Sequence, residues 1–236
     1  MTRIRRGQRF TAHLVSSSVE TGHPRVVDDL RQAILSGDQP PGTAIPIDEV
    51  AAYLGVSQIP VREALMTLVG EGLVEHRPHV GYQVATLTFE EFNDLYRVRE
   101  VLEALALAAS VKNATAADDV EILTSHDGVD SAIRGADLRS FHSGSRRLHL
   151  AMIRPSGMSR LVRMYESAWN LTEPARPMAR VSDAARLRFH ADHHDMVAAF
   201  TERDAEALVA ASRRHYQHLC AEFDSMRGDP DTFRCP

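Results

Sequence analysis

The stretch "GVSQIPVREAL", residues 55–65, decides how the chain is read. Gly55 closes one helix, because glycine tolerates the left-handed backbone that helix ends favour. Ser57 is a capping residue for the next helix. Pro60 falls in that helix's first turn, where its missing N–H has no intrahelical partner to lose. From there "VREALMTLVGEGL" (61–73) continues the helix. Val61, Leu65, Leu68 and Val69 take the inward face at helical spacing, and Gly70 and Gly72 end it.

The pattern extends in both directions. Upstream, "PRVVDDLRQAIL" (24–35) puts Val26, Val27, Leu30, Ile34 and Leu35 at helical spacing, and Gly37, Pro40, Pro41 and Gly42 stop it. "IDEVAAYL" (47–54) is a short helix with Val50, Ala51 and Leu54 inward. Downstream, "LVEHRPHVGYQVATL" (73–87) has two extended pieces around residues 78–81, the mark of a β-hairpin. Helix, helix, turn, helix, hairpin is the order of a winged helix-turn-helix. In that motif the helix after the turn enters the DNA major groove by its N-terminal end. Ser57, Gln58 and Ile59 then sit at the groove. Arg62 lies one turn on, on the face of Gln58. Its guanidinium is long enough for guanine O6/N7 or a phosphate, and Gln58 has the amide that pairs with adenine. Arg77, His79 and Gly81 at the hairpin tip fall over the neighbouring backbone or minor groove. Arg31 of the first helix completes the set of candidate DNA contacts.

The bulk numbers set limits. A chain of 236 residues fits two domains of roughly 70 and 140 residues. A formal net charge of -5 does not advertise a polyanion partner, so a DNA site has to be a local patch. Two cysteines, Cys220 and Cys235, without a CxxC argue against a disulfide framework or a cysteine zinc site. No apolar run has the length of a membrane span, and "MTRIRRGQRF" lacks the apolar region of a secretory signal. A cytoplasmic location is expected. The organisation expected is a flexible basic arm (1–22) carrying Arg3, Arg5, Arg6 and Arg9, a DNA-binding domain (23–87), a helical domain (88–228) and a flexible tail (229–236).

Residues 88–228 read as an antiparallel all-helical bundle, so the chain as a whole is mainly α. Thr88 and Glu91 make a capping box for the first helix, on which Leu95, Val98, Leu102, Leu105 and Ala109 are taken as the apolar stripe. Further helices are expected near 116–134, 137–153, 158–173, 182–201 and 204–226. There is no βαβ alternation and no glycine-rich phosphate loop. Of the twelve histidines, three project from apolar helical faces on three separate helices. His149 lies with Leu148, Met152 and Ile153, His193 with Phe189, Met196, Val197 and Phe200, and His215 with Leu208, Ala211 and Leu219. Inward imidazoles on facing helices are how bundles build metal sites, and imidazole suits zinc, nickel and iron.

Two resemblances add to this. "LRQAILSGDQPPGT", "LGVSQIPVREAL" and "EGLVEHRPHVGYQVATL" resemble the N-terminal domain of GntR-family transcription regulators. In that family arginine is usual where this chain has Gln58, and Asp48 stands where a DNA-contacting arginine is common. The resemblance therefore implies a weaker or differently specific operator, with Arg62 matching a DNA-contacting arginine. "SRRLHLAMIRPSGMSRLVRMYESAW" (145–169) and "DHHDMVAAFTERDAEALVAASRRHYQHL" (192–219) resemble the helical ligand-binding domain of the FadR subgroup, the FCD domain. Many FCD domains hold a metal through one aspartate and three histidines. His149, His193 and His215 match the histidines, the last two each eleven residues from Asp204. Ser145 stands at the aspartate position. Arg99 matches a recurrent arginine suited to an effector carboxylate, or it pairs with an acid such as Glu103.

Serine is a poor ligand when neutral. Three readings stay open for this pocket: a three-histidine site completed by water or effector, a site rebuilt with His190 or His194, and a metal-free pocket. The expected function is a homodimeric transcription regulator, a repressor on a palindromic operator, whose helical domain binds a small organic acid through Arg99 and Ser145. The protein is not expected to be an enzyme. A metal-dependent enzyme and a metal-free interaction module are the alternatives. Against the enzyme, no His-Glu-x-x-His segment occurs, and no carboxylate is placed as a general base.

Overall fold

The structure is a computed structural model that describes residues 10–14, 23–37, 39–229 and 232–234. The arginines of the basic arm, Arg3, Arg5, Arg6 and Arg9, lie outside the described residues. The chain divides into two compact units. The first holds the described residues up to Phe92, together with 170–176 and those from 228 onward; the second holds 93–169 and 177–227.

In the first unit, α1 (His23–Leu35) buries Val26, Val27, Leu30, Ala33 and Ile34. After β1 (Ala44–Ile45) come α2 (Ile47–Leu54) and α3 (Gln58–Gly70). The turn between them is made as its sequence requires. Gly55 takes φ 68° and its N–H returns to the Ala51 carbonyl, the left-handed helix end that only glycine adopts without strain. Ser57 holds the N-cap position with an extended backbone, but its side chain makes no capping bond. Its value as a cap is therefore conformational rather than a hydrogen bond. Strands β2 (Val74–Arg77) and β3 (Gly81–Val84) form the expected hairpin, and β1 joins its other side to give the antiparallel order β1-β3-β2. Glu75 opposes Gln83, and Ala44 opposes Gln83 from the other side. The core is Leu30, Ile34, Val50, Val61, Leu65, Leu68, Val74 and Val84, a continuous winged-helix interior.

Two segments pack into this core against the sequence reading, and a third is buried against Phe89 and Phe92. Phe10 and Leu14, expected in a flexible arm, are 1% and 3% exposed, and Gln39 donates to the Phe10 carbonyl. Their apolar side chains anchor the arm's described part. Leu171, expected in the helical domain, lies against the winged-helix core, and a Cβ on Gly72 would come within 3.0 Å of it. Gly72 thus serves a positive φ of 77° and this close approach at once. In the expected tail, Phe233 is 5% exposed and meets the rings of Phe89 and Phe92 edge-on at 5.4 and 5.2 Å. Arg234 adds an ion pair to Glu91 at 2.6 Å.

The second unit is helical. It comprises most of α4 (Phe89–Asn113), then α5 (Ala116–Arg134), α6 (Leu138–Ile153), α7 (Ser159–Thr172, up to Trp169), α8 (Asp183–Thr201) and α9 (Ala205–Phe223). The capping box at the start of α4 is present, with Thr88 N–H to Glu91 at 2.7 Å and Glu91 N–H to Thr88 Oγ1 at 3.1 Å. Ser182 and Asp204 cap α8 and α9, accepting from the N–H of Ala185 and Ala207. The stripe expected on α4 is not its buried face. Val98 and Leu105 are 46% and 57% exposed, while Tyr96, Arg99, Glu103, Ala106, Leu107 and Ser110 are buried. Apolar spacing misleads here because α4 turns a charged pair inward, where other helices supply partners. Among the described residues, no helix is long and apolar enough to cross a membrane.

Phe233→Ala should destabilise the first unit by about 3 kcal/mol, the cost of a truncated core aromatic. Urea unfolding of the full chain checks this, and an unchanged midpoint would mean that residues 232–234 do not hold the unit together.

Candidate functional site

Two sets of functional side chains were expected, and each unit carries one. In the first unit, Pro60 sits in the first turn of α3 and leaves the preceding residues at a free helix end. Gln58, Ile59 and Arg62 are exposed there, with Ile59 at 67%. Arg62 makes no ion pair with any described residue. The wing tip is a tight turn in which Val80 N–H returns to the Arg77 carbonyl at 3.1 Å. His79 at φ 63° and Gly81 at φ 104° turn the chain there. Arg77 is half-held by Glu75 at 3.2 Å. Arg31 is committed elsewhere: it is forked onto Glu71 at 2.6 and 3.0 Å and paired with Asp28. Its guanidinium ties α1 to the end of α3, and a contact to DNA would have to compete with two carboxylates.

In the second unit, α8 and α9 form an antiparallel pair about the turn at Glu202–Asp204. Asp204 is the N-cap of α9 and not a ligand. Because His193 and His215 are equally far from it in sequence, the hairpin brings them to one level, with ring centroids 4.6 Å apart. His149 of α6 meets both, at 5.0 and 5.2 Å between rings. The three are buried, and each offers a ligand nitrogen within 4.8 Å of the others. Nε2 of His149 faces Nε2 of His193 at 3.1 Å, and Ser145 Oγ lies 3.4 Å from the same His193 atom. Two nitrogens each about 2.1 Å from a tetrahedral ion would lie about 3.4 Å apart. This donor set therefore suits a borderline divalent cation. Burial, then the neighbouring imidazoles, hold His193 well below the usual histidine range. Burial first also pushes His215 down to about 4, against the opposing pull of Asp192. Both rings are neutral at pH 7, the form that binds metal.

Second-row groups orient these rings. His149 Nδ1 donates to Glu103 Oε1 at 2.5 Å, which leaves its Nε2 for the cavity. Glu103 also accepts from Tyr165 at 3.2 Å and Ser212 at 3.2 Å. Burial alone would raise its pKa; the charge and hydrogen bond of His149 outweigh that and hold it below the ordinary carboxylate range. Asp192 stands 3.5 Å from His215 Nδ1, a long contact, and 2.7 Å from His218 Nδ1.

Arg99 does not form the hydrogen-bonded pair with Glu103 that its spacing allowed. Its guanidinium carbon lies 3.5 Å from the Trp169 ring centroid and 4.5 Å from that of Tyr96. Its Nε and Nη1 are buried without a partner. Arg99, Ser145, His149 and His215 line one cavity with Trp169, Phe141 and Met178. The cavity has a volume of about 20 Å³, and Phe141 also lines a neighbouring cleft of about 320 Å³. Of the histidines considered as substitutes, His190 stands 6.2 Å from His193, ring to ring, and neither it nor His194 joins the group of His149, His193 and His215; His142 lines the cavity. Sequence reasoning missed Glu103 as an orienting group, together with the aromatic walls. The signal was available: Glu103 lies one helical turn from Arg99, and Trp169 is the chain's one tryptophan.

Comparison with known proteins agrees with both halves. Residues 23–84 match "Bacterial regulatory proteins, gntR family", and residues 94–218 match "FCD domain". The chain is 28% identical over 199 residues to the HTH-type transcriptional regulator McbR of Escherichia coli K12, covering 84% of this chain and 87% of that one. It is 31% identical over 163 residues to a probable D-xylose utilization operon transcriptional repressor of Paenarthrobacter nicotinovorans, covering 69% and 67%. The solved structure of E. coli McbR/YncC has the same fold, with a TM-score of 0.78 at 24% identity over 88% of this chain and 99% of that one.

Glu103→Ala should lower stability by about 3–5 kcal/mol, because it leaves the buried Arg99 charge without its nearest counter-charge. Thermal unfolding of wild type and variant measures it; a loss under 1 kcal/mol would remove Glu103 from the centre of the bundle.

Proposed function

The chain belongs to the gntR family of bacterial regulatory proteins, with an FCD domain, and from that premise we propose how it recognises DNA and what it senses. It is a DNA-binding transcription regulator. Within the family we assign it to the FadR subgroup, a reading that its FCD domain supports. The reading end is α3, with Gln58, Ile59 and Arg62 at base edges, Ser57 at the turn, and Arg77, His79 and Gly81 on the flanking backbone. Arg31 contributes from α1 only if it leaves Glu71. One winged helix reads one half-site, so the working form is a homodimer on a palindromic operator. It acts in the cytoplasm as a repressor.

The effector is a small organic acid bound in the helical unit. The observation that carries this is Arg99, a buried guanidinium with two unpartnered nitrogens in the cavity that His149 and His215 also line. A carboxylate satisfies such a fork with two charge-assisted bonds. His149, His193 and His215 would hold a divalent ion such as zinc or nickel, which supplies a Lewis-acidic position for a carboxylate oxygen. Ser145 then serves the effector as a hydroxyl rather than the metal as a ligand. The cavity has room for one water-sized group, so an acid enters only when a wall gives way. Phe141, shared with the larger cleft, is the wall we assign. The alternative of a metal-dependent enzyme has no support in the carboxylates that meet the site histidines: Glu103 is already engaged by three donors, and Asp192, 3.5 Å from His215, is held by His218 and Arg214.

Arg62→Ala should weaken binding to a specific operator by about 10–100-fold, the usual worth of one bidentate base contact. Gel shifts with the DNA upstream of the protein's own gene, at fixed salt, check this; equal affinity for operator and random DNA in the wild type would overturn the regulator reading. For the sensor, calorimetry with a panel of small di- and hydroxycarboxylic acids should find one whose affinity falls at least tenfold in Arg99→Lys, while zinc uptake is unchanged. Zinc uptake that survives His149→Ala would show that the three histidines do not hold the ion.

A further inference from the structure

We propose that His126 and His190 form a second divalent-cation site, on the seam between α5 and α8, separate from the His149–His193–His215 group. Four titratable residues meet there from two facing helices. His126 and Asp130 are four apart on α5, and His190 and His194 are four apart on α8, so each pair shares a helix face. The rings of His126 and His190 stack at 4.7 Å with 19° between their planes. His194, exposed at the edge, lies 5.8 Å from His126.

The stack leaves polar atoms unsatisfied. His126 Nε2 and His190 Nδ1 are both buried with no hydrogen-bond partner. Such groups are rare in folded proteins and require an explanation. Packing alone does not provide one, since a stack of two rings could turn either nitrogen outward. Asp130 Oδ1 lies 3.5 Å from His190 Nε2, a long contact that favours the tautomer with the proton on Nε2 and a lone pair on Nδ1. A carboxylate behind an imidazole is the arrangement that orients metal-binding histidines. The same device operates at Glu103 and His149 in the inner cavity.

Neutral imidazole lone pairs select borderline cations such as zinc, nickel or copper, and not calcium or magnesium, which take oxygen ligands. Two buried nitrogens, with His194 or water at the solvent edge, make a weaker site than three. Among the described residues the group with three ligand atoms within 4.8 Å is the inner one alone. The two sites therefore differ in affinity. They share helix α8, with His190 and His193 6.2 Å apart, ring to ring. An ion on its way to or from the buried group would find the outer pair at the edge of the bundle.

Native mass spectrometry of the full chain during a zinc titration tests this. The wild type should take up two ions per chain, the second removed by a mild chelator. His126→Ala with His190→Asn should take up one, and His193→Asn should keep the weakly held one. Wild type saturating at a single ion that the outer double variant retains would overturn the proposal. A single ion lost from the outer variant but kept in His193→Asn would uphold it and instead overturn the inner metal site. Should the double variant not fold, crystals of the wild type grown with excess zinc decide: an anomalous peak between His126 and His190 is expected, and its absence rejects the site.

Discussion

Glu103 has no exposed surface, and an ionised carboxylate out of water is costly unless donors surround it. Its donors come from three other helices: His149 from α6, Tyr165 from α7 and Ser212 from α9. His149 in turn meets His193 of α8. One charge on α4 therefore ties five helices to a single register. Rotating any of them by one residue, about 100°, would carry its partner group away from the carboxylate. The apolar packing around it is permissive by comparison, because leucine and methionine tolerate small shifts that a 2.5 Å hydrogen bond does not. Arg99, one turn before Glu103, supplies the opposite charge and is left with free donors. The bundle is thus stabilised by a group that also stands one turn from the guanidinium proposed to bind the effector.

The second constraint is the hairpin of α8 and α9. Two positions equidistant from a helical turn must lie side by side if the helices run antiparallel. Asp204 fixes the centre of that symmetry by capping α9, and the Arg203 backbone turns the chain at φ 62°. His193 and His215 meet as a consequence of where the turn is placed. An insertion in the turn would separate them even with every histidine retained.

Local signals made the first unit legible. Gly55, Pro60 and the alternation of residues 74–84 act within a few residues of themselves, so their consequences could be read one at a time. The histidine group was also legible, because three imidazoles on three apolar faces have few places to go. What escaped depended on distant partners. The inward face of α4 carries Arg99, Glu103 and Ser110, and hydrophobicity alone assigned it to solvent; only the donors on α6, α7 and α9 make its burial tolerable. Phe10 and Phe233 lie in stretches without periodicity, and a single apolar residue in such a stretch gives no sign that it has a core to enter; Leu171 sits in the last turn of α7, whose periodicity does not say which core that end enters. Arg31 looked like a free cation because Glu71 is forty residues away.

Ser145 alters the charge balance of the cavity, and the chemistry of the proposed sensor follows from that. Arg99 and Glu103 offset one another, and the His193 and His215 rings are neutral. An aspartate at position 145 would contribute a negative charge beside any divalent ion; serine contributes none. Under the proposed reading, a bound cation then leaves two positive charges that no ligand neutralises, in a medium where such an imbalance is far more costly than in water. An anionic effector is the natural counter-charge, and it also answers the two free nitrogens of Arg99. Ion and acid should each raise the other's affinity by the same factor, as linkage requires of two ligands on one protein. A chain with aspartate at this position would hold its ion more firmly and couple it to the acid more weakly. The exchange of Asp for Ser therefore reads as a shift from a permanent metal site toward one whose occupancy depends on the effector.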